Sequence, residues 1–161
     1  MTTESHTIRA AGFEDVQAVF ELVKEYPEEL LPRPVSDIVQ NLDRFIVCVR
    51  GGKVIGTVSW QILPEIGSHR PTVEIKSLAI RRSCQKSGIG RSLVNAAMER
   101  IKPLHPSQVI VLTFAPDFFK KLGFEEISKE KLIHKIYTGC LNCTKYDSPF
   151  TCPETALSLK M

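Results

Sequence analysis

The chain predicts an α+β domain: a central mixed, mostly antiparallel sheet flanked by helices. Three observations lead there. The apolar segments run strand, helix, short helix, three strands, helix, strand, short helix, strand, an order that sets helices against one sheet instead of alternating regularly with parallel strands. Two of these segments, RFIVCVR and VIGTVSWQIL, close around the turn GGK, which is a strong hairpin signal. The third observation is the apolar run TVEIKSLAI, followed by the glycine turn QKSGIG (Gln85 to Gly90) and an amphipathic helix, the plan of an anion-binding loop.

Each element has its own signal. TIRAA, residues 7–11, reads as a short first strand. FEDVQAVFELVKEY carries Val16, Val19, Phe20 and Val23 at helical spacing, and Glu14 and Asp15 suit the start of that helix through capping and the helix dipole. PEELLPRP has three prolines in eight residues, which predicts an irregular connection. VSDIVQNLD resumes a short helix, with Ser36 as its expected cap. After the hairpin, PEIGSHRP forms a second loop and TVEIKSLAI returns to complete a meander. RSLVNAAMERI puts Leu93, Val94, Ala97, Met98 and Ile101 on one face, and Pro103 ends the helix. SQVIVLTF reads as a buried strand, PDFFKKLG as a short helix closed by Gly123, and KLIHKIY as a last strand. The sequence has no internal repeat and no low-complexity tract.

Bulk properties narrow the function classes. With 161 residues, one domain with a substantial core is expected. Hydrophobic residues at 43% and charged residues at 24% argue against disorder and against a coiled coil. A net charge of +3 is too mild to imply a nucleic-acid surface and fits an anionic cofactor equally well. No apolar run is long enough to cross a bilayer, and residues 1–15 lack the plan of a signal peptide, so the expected location is the cytoplasm. Five cysteines without a secretory signal favour thiols or metal ligands over structural disulfides.

The glycine turn can be matched against the known phosphate loops. A P-loop needs Lys and then Ser or Thr directly after its last glycine, whereas Gly90 is followed by Arg91 and Ser92. A dinucleotide fingerprint needs a third glycine where Leu93 stands. What remains is a run of backbone N–H groups from Gln85 to Arg91, through Lys86, Ser87, Gly88, Ile89 and Gly90 and with Ser92 behind, at a helix N-terminus suited to a pyrophosphate.

This stretch resembles the acetyl-CoA signature of the GNAT N-acetyltransferases, which reads Gln/Arg, two residues, Gly, one residue, Gly/Ala. Gln85, Gly88 and Gly90 match it in register, the strand IKSLAI precedes it, and FFKKLGF (118–124) is similar to the family's short helix and following strand. The resemblance implies the GNAT acyl-CoA N-acyltransferase fold over residues 1–138, with residues 139–161 as a cysteine-containing tail packed on the same domain. It also implies acetyl-CoA as the donor, and a strand before the loop that splays from its neighbour so that backbone amides near Leu78, Ala79 and Ile80 pair with the pantetheine arm and polarise the thioester carbonyl. An amine must lose a proton before attack. Glu74, on the same strand face as Leu78 by even spacing, is the leading base by this resemblance, acting through water; the alternative is a salt bridge on the sheet. Many members place a Tyr after the first Phe of the short helix to protonate the thiolate, but here Phe118 and Phe119 stand there, which leaves water or Tyr137.

EELLPRPVSDIVQNLDRFIVCV is further similar to amino-acid N-acetyltransferases of the N-acetylglutamate synthase type, in which a Leu-Leu-x-Arg stretch leads into a helix and an aromatic strand. VEIKSLAI, VIVLTF and LIHKIY correspond in order. The resemblance implies that Arg33 grips the α-carboxylate of the acceptor, the alternative being an exposed loop arginine. Lys76, Thr113 and Lys135 are candidates to complete the pocket, with Thr113 holding the relay water. The expected reaction is acetylation of an α-amino group, most of all that of L-glutamate, the first step of arginine biosynthesis. Two features depart from the larger synthases: there is no room for a kinase domain, and the arginine that follows their LT pair is not found in LTFAPDFF. The expected partner is thus a small amino acid, with no nucleic acid and no membrane, and a homodimer stays open. A GNAT for another small amine or a protein N-terminus, and a non-catalytic acetyl-CoA-binding or metal-binding module, also stay open.

Residues 134–152 contain His134, Cys140, Cys143 and Cys152, three thiols and an imidazole that would complete a tetrahedral zinc site; reduced thiols or a redox-sensitive pair are the alternatives. Cys48, inside an apolar strand, is expected to be a small core residue.

Overall fold

The computed structural model describes residues 5–63, 68–129 and 154–161. Seven strands form one mixed sheet in the order β1-β2-β3-β4-β5-β7-β6, with helices against it, which makes the fold α+β as expected. The strands are β1 (His6–Ala10), β2 (Phe45–Arg50), β3 (Lys53–Ile62), β4 (Thr72–Ile80), β5 (Gln108–Thr113), β6 (Glu125–Glu126) and β7 (Thr155–Lys160). The helices are α1 (Val16–Lys24), α2 (Val35–Gln40), α3 (Ile89–Ile101) and α4 (Pro116–Lys120). β1 with β2, β2 with β3, β5 with β7 and β6 with β7 pair antiparallel, while β4 pairs in parallel with β5 over Thr72–Glu74. The chain divides into two compact units, Met1–Trp60 with Ile75–Arg100, and Gln61–Glu74 with Ile101–Met161.

In the first unit, α1 buries Val16, Val19, Leu22 and Val23 in a core shared with Ile38 of α2, Phe45 and Val47 of β2 and Ala79 of β4. Each of these side chains larger than alanine contributes about 1.5–3 kcal/mol on leaving water. Ahead of α1, a 3-10 turn at Phe13–Asp15 is held by the Asp15 carboxylate, which accepts the Gly12 amide at 2.7 Å and the Arg9 guanidinium at 2.6 Å. The hairpin turn places Gly51 at φ 56° and Gly52 at φ 74°, a left-handed pair that matches the twist of β2 and β3. Leu93, Val94, Ala97, Met98 and Ile101 are all buried along α3, as their spacing predicts. Gly56 of β3 lies so close to α3 that an added Cβ would sit 3.0 Å from the Leu93 side chain.

One cap differs from expectation. Ser36 lies inside α2, whose N-cap is the extended Pro34, and its side chain makes no cap hydrogen bond. The proline-fixed backbone starts the helix two residues early, and the third helical residue, Asp37, turns its carboxylate toward Arg33 and Asn41.

In the second unit, β7 pairs with β5 along six residues, from Gln108↔Lys160 to Thr113↔Thr155, and Leu63, Ile110 and Ala156 share a small core. Arg70 donates to the carbonyls of His105, Pro106 and Met161 at 3.1, 2.6 and 3.3 Å, tying the chain end in place. Phe119 of α4 is buried edge-on between Phe118 and Phe124, with ring centres 5.0 and 5.5 Å away. The expected strand KLIHKIY lies outside the described residues, as do Lys135, Tyr137, His134, Cys140, Cys143 and Cys152. No helix among the described residues is long and apolar enough to cross a membrane.

Candidate active site

The glycine turn is shaped by two left-handed residues, Lys86 at φ 62° and Gly88 at φ 85°. An added Cβ at Gly88 would meet nothing within 4 Å, so the demand there is conformational, not steric crowding. Such alternation turns successive amides to one side, and the first-turn amides of α3 have no intrahelical partner. Among the described residues, the amides of Lys86 to Gly90 donate to no carbonyl outside the helices and strands. Arg82, Lys86 and Arg91 are exposed along the same stretch and suit an anion.

Gln85 supports this turn from behind. Its Nε2 donates to the Tyr26 hydroxyl at 2.8 Å and to the Ile80 carbonyl at 3.3 Å, while the Tyr26 hydroxyl itself donates to that same carbonyl. The Arg82 guanidinium lies 5.1 Å above the Tyr26 ring. The end of β4, the loop and the segment just after α1 are therefore joined at one carbonyl. Ile80 O is already committed to two donors.

β4 carries a kink that sequence reasoning missed. Ser77 has φ 56° inside a strand, a conformation that costs a non-glycine residue on the order of 1–3 kcal/mol unless its surroundings enforce it. Those surroundings centre on Arg33. The Arg33 side chain is only 9% exposed and pairs through Nε with the Asp37 carboxylate at 2.6 Å. Its Nη1 donates to the hydroxyls of Ser59 at 2.9 Å and Ser77 at 3.2 Å, and its guanidinium stacks 4.8 Å from the Phe45 ring. The Ser59 hydroxyl donates in turn to the Lys76 carbonyl at 3.2 Å. Arg33 is thus a part-buried, networked arginine and not an exposed loop residue. Nη2 has no hydrogen-bond partner among the described residues.

The same kink bears on Glu74. Even spacing puts Glu74 and Leu78 on one face only along an uninterrupted strand, and left-handed Ser77 lies between them. Glu74, in the second unit, is 4% exposed and opposes Ile110 at the end of the β4–β5 pairing. Thr113, at the end of β5, accepts the Ala115 amide on Oγ1 at 2.9 Å. Phe119, where the family's tyrosine would stand, is 3% exposed, inside its aromatic cluster. Cys48 is fully buried, and burial pushes its thiol up. Cys84 is partly exposed, and its sulfur lies 3.8 Å from Arg50 Nη1. Among the described residues no group of three or more His, Cys, Asp or Glu could hold a metal ion.

Tyr26, Asp37, Ser59 and Ser77 were not singled out by the sequence. Only Tyr26 carried a hint, an aromatic with a polar tip directly after an amphipathic helix.

The chain is similar to several known proteins. A 32% identical relative, an uncharacterized N-acetyltransferase of Chlorobaculum tepidum, aligns over 93% of each chain. An amino-acid acetyltransferase of Mycobacterium tuberculosis is 28% identical over 87% of this chain and 79% of its own. A Mycobacterium tuberculosis protein crystallised with CoA has a TM-score of 0.80 at 24% identity, covering 96% of this chain and 99% of that one. N-acetylglutamate synthase from Neisseria gonorrhoeae, complexed with coenzyme A and N-acetyl-glutamate, has a TM-score of 0.78 at 18% identity over 99% of this chain and 36% of the larger one. At these identities the two structures speak for the fold alone. The acetyltransferase (GNAT) family profile matches residues 16–124, from the first residue of α1 to the phenylalanine that closes the aromatic cluster, and by that match the chain belongs to the GNAT acetyltransferases.

Proposed function

We propose that this acetyltransferase moves the acetyl group of acetyl-CoA to the α-amino group of an amino acid, L-glutamate first among them, which would begin arginine biosynthesis. The observation that carries the reading is Arg33: a guanidinium sheltered from water, oriented by Asp37 and Ser59, with Nη2 left for a carboxylate. The amino-acid acetyltransferase relative supports the same acceptor class. The amine lone pair attacks the thioester carbon, forming the C–N bond as the carbonyl π pair moves to oxygen. Collapse then breaks the C–S bond and expels the CoA thiolate, while the attacking nitrogen, cationic after attack, releases its extra proton to solvent to leave the neutral amide. Glu74 takes the ammonium proton, through water, before attack, and solvent protonates the thiolate, since Phe119 has no proton to give.

The test is release of CoA thiol with each of the twenty amino acids as acceptor. Release by glutamate above the others supports the reading. If CoA binds but no amino acid speeds release, the acceptor assignment is wrong. The Glu74→Gln variant should lose turnover by about a hundredfold while binding CoA as before, and an unchanged rate at neutral pH would remove Glu74 as base.

A further inference from the structure

A left-handed serine within a strand requires a cause, and the one on hand is the acceptor-side arginine. Ser77 is 7% exposed and its hydroxyl accepts from Arg33 Nη1 at 3.2 Å. The preceding carbonyl, that of Lys76, is taken by the Ser59 hydroxyl, which itself accepts from the same Nη1 at 2.9 Å. Asp37 at 2.6 Å and the Phe45 ring fix the guanidinium from its other sides. The kink is therefore braced on both sides of the Lys76–Ser77 peptide by one nitrogen. The next residues, Leu78 to Ile80, end at the carbonyl fixed by Tyr26 and Gln85. A segment held at both ends has its amide directions set in advance, the requirement for donors that must meet a developing oxyanion without reorganising.

We propose that Arg33 is a positioning residue for the reaction: through Ser77 and Ser59 it sets the kink in β4 and thereby aims the backbone amides of Leu78 to Ile80 at the thioester oxygen. This rests on the acetyl-transfer reading and adds to the carboxylate role. A carboxylate grip alone alters acceptor KM, whereas a brace for the donors alters kcat.

Two serine variants separate these roles. Ser77→Gly keeps the left-handed backbone at no steric cost but loses the hydroxyl, and Ser59→Ala removes the support of the Lys76 carbonyl. Both are expected to lower kcat about tenfold with acceptor KM and CoA affinity within about twofold of wild type. Arg33→Ala is expected to lower kcat and raise acceptor KM together; should it fail to fold, the serine variants carry the test. A second readout needs no acceptor: the infrared stretch of [13C]acetyl-CoA bound to each protein. The wild-type band should lie below that of free acetyl-CoA and move back toward it in both serine variants. Unchanged kcat and an unchanged band in both variants would overturn the proposal. Because the band requires acetyl-CoA alone, it decides the role of the brace even where no amino acid turns over, an outcome that counts against the proposed acceptor instead.

Discussion

Asp15 shows how much of the first unit hangs on single residues. Nearly buried, it accepts from Arg9 and from the Gly12 amide. The hydrogen bond from Arg9 holds its carboxyl below the usual range. A lowered folded pKa means that the stabilisation is present above the unfolded value, near about 4, and is lost as pH falls through the folded value. Asp15→Asn should cost about 1–2 kcal/mol at neutral pH, since half-exposed Arg9 is partly screened. Urea unfolding at pH 7 and pH 3 checks this: the gap between variant and wild type should narrow in acid, and a constant gap would place the effect elsewhere. At this scale the sequence was only half legible. Asp15 was visible as a helix-start acid, because it belongs to a local pattern, and Arg33 was singled out by the resemblance of its LLPRP stretch. Ser59 and Ser77 were not, since serine has no left-handed signature and their meeting with Arg33 spans 26 and 44 positions.

At the scale of elements, the glycine turn ahead of α3 was legible as a turn, because its geometry is local. Gly88 at φ 85° is where that reading is most exposed to test. Gly88→Ala places a Cβ in open space yet forces a left-handed alanine, at a cost of about 1–2 kcal/mol. If that strain is relieved by the turn opening, CoA affinity should fall about tenfold with little change in melting temperature; calorimetry with CoA measures it, and unaltered affinity would mean that the turn does not hold the pyrophosphate. β7 was the opposite case. TALSLK has three apolar residues and no turn signal of its own, and its strand is set by long-range pairing, six positions with β5 and two with β6. Leu157, fully buried there, should cost about 2–5 kcal/mol on truncation to Ala, read as a lowered denaturant midpoint. The meander and α3 were legible for the same reason that the turn was: their periodicities are written in consecutive residues.

Across the whole molecule, a glycine turn tied to Tyr26 through Gln85 and a kinked strand hydrogen-bonded to Arg33 belong to a fold of the GNAT type. The sequence alone supported the cofactor better than the acceptor, because anion binding by a helix N-terminus is a backbone property whereas acceptor choice depends on side chains gathered from distant segments. The central claim is that acetyl moves to the α-amino group of an amino acid. One incubation tests it: acetyl-CoA and all twenty amino acids at equal concentration, with the N-acetyl products read by mass spectrometry. N-acetylglutamate as the main product is the predicted result, and bound acetyl-CoA with no acetylated amino acid would contradict it.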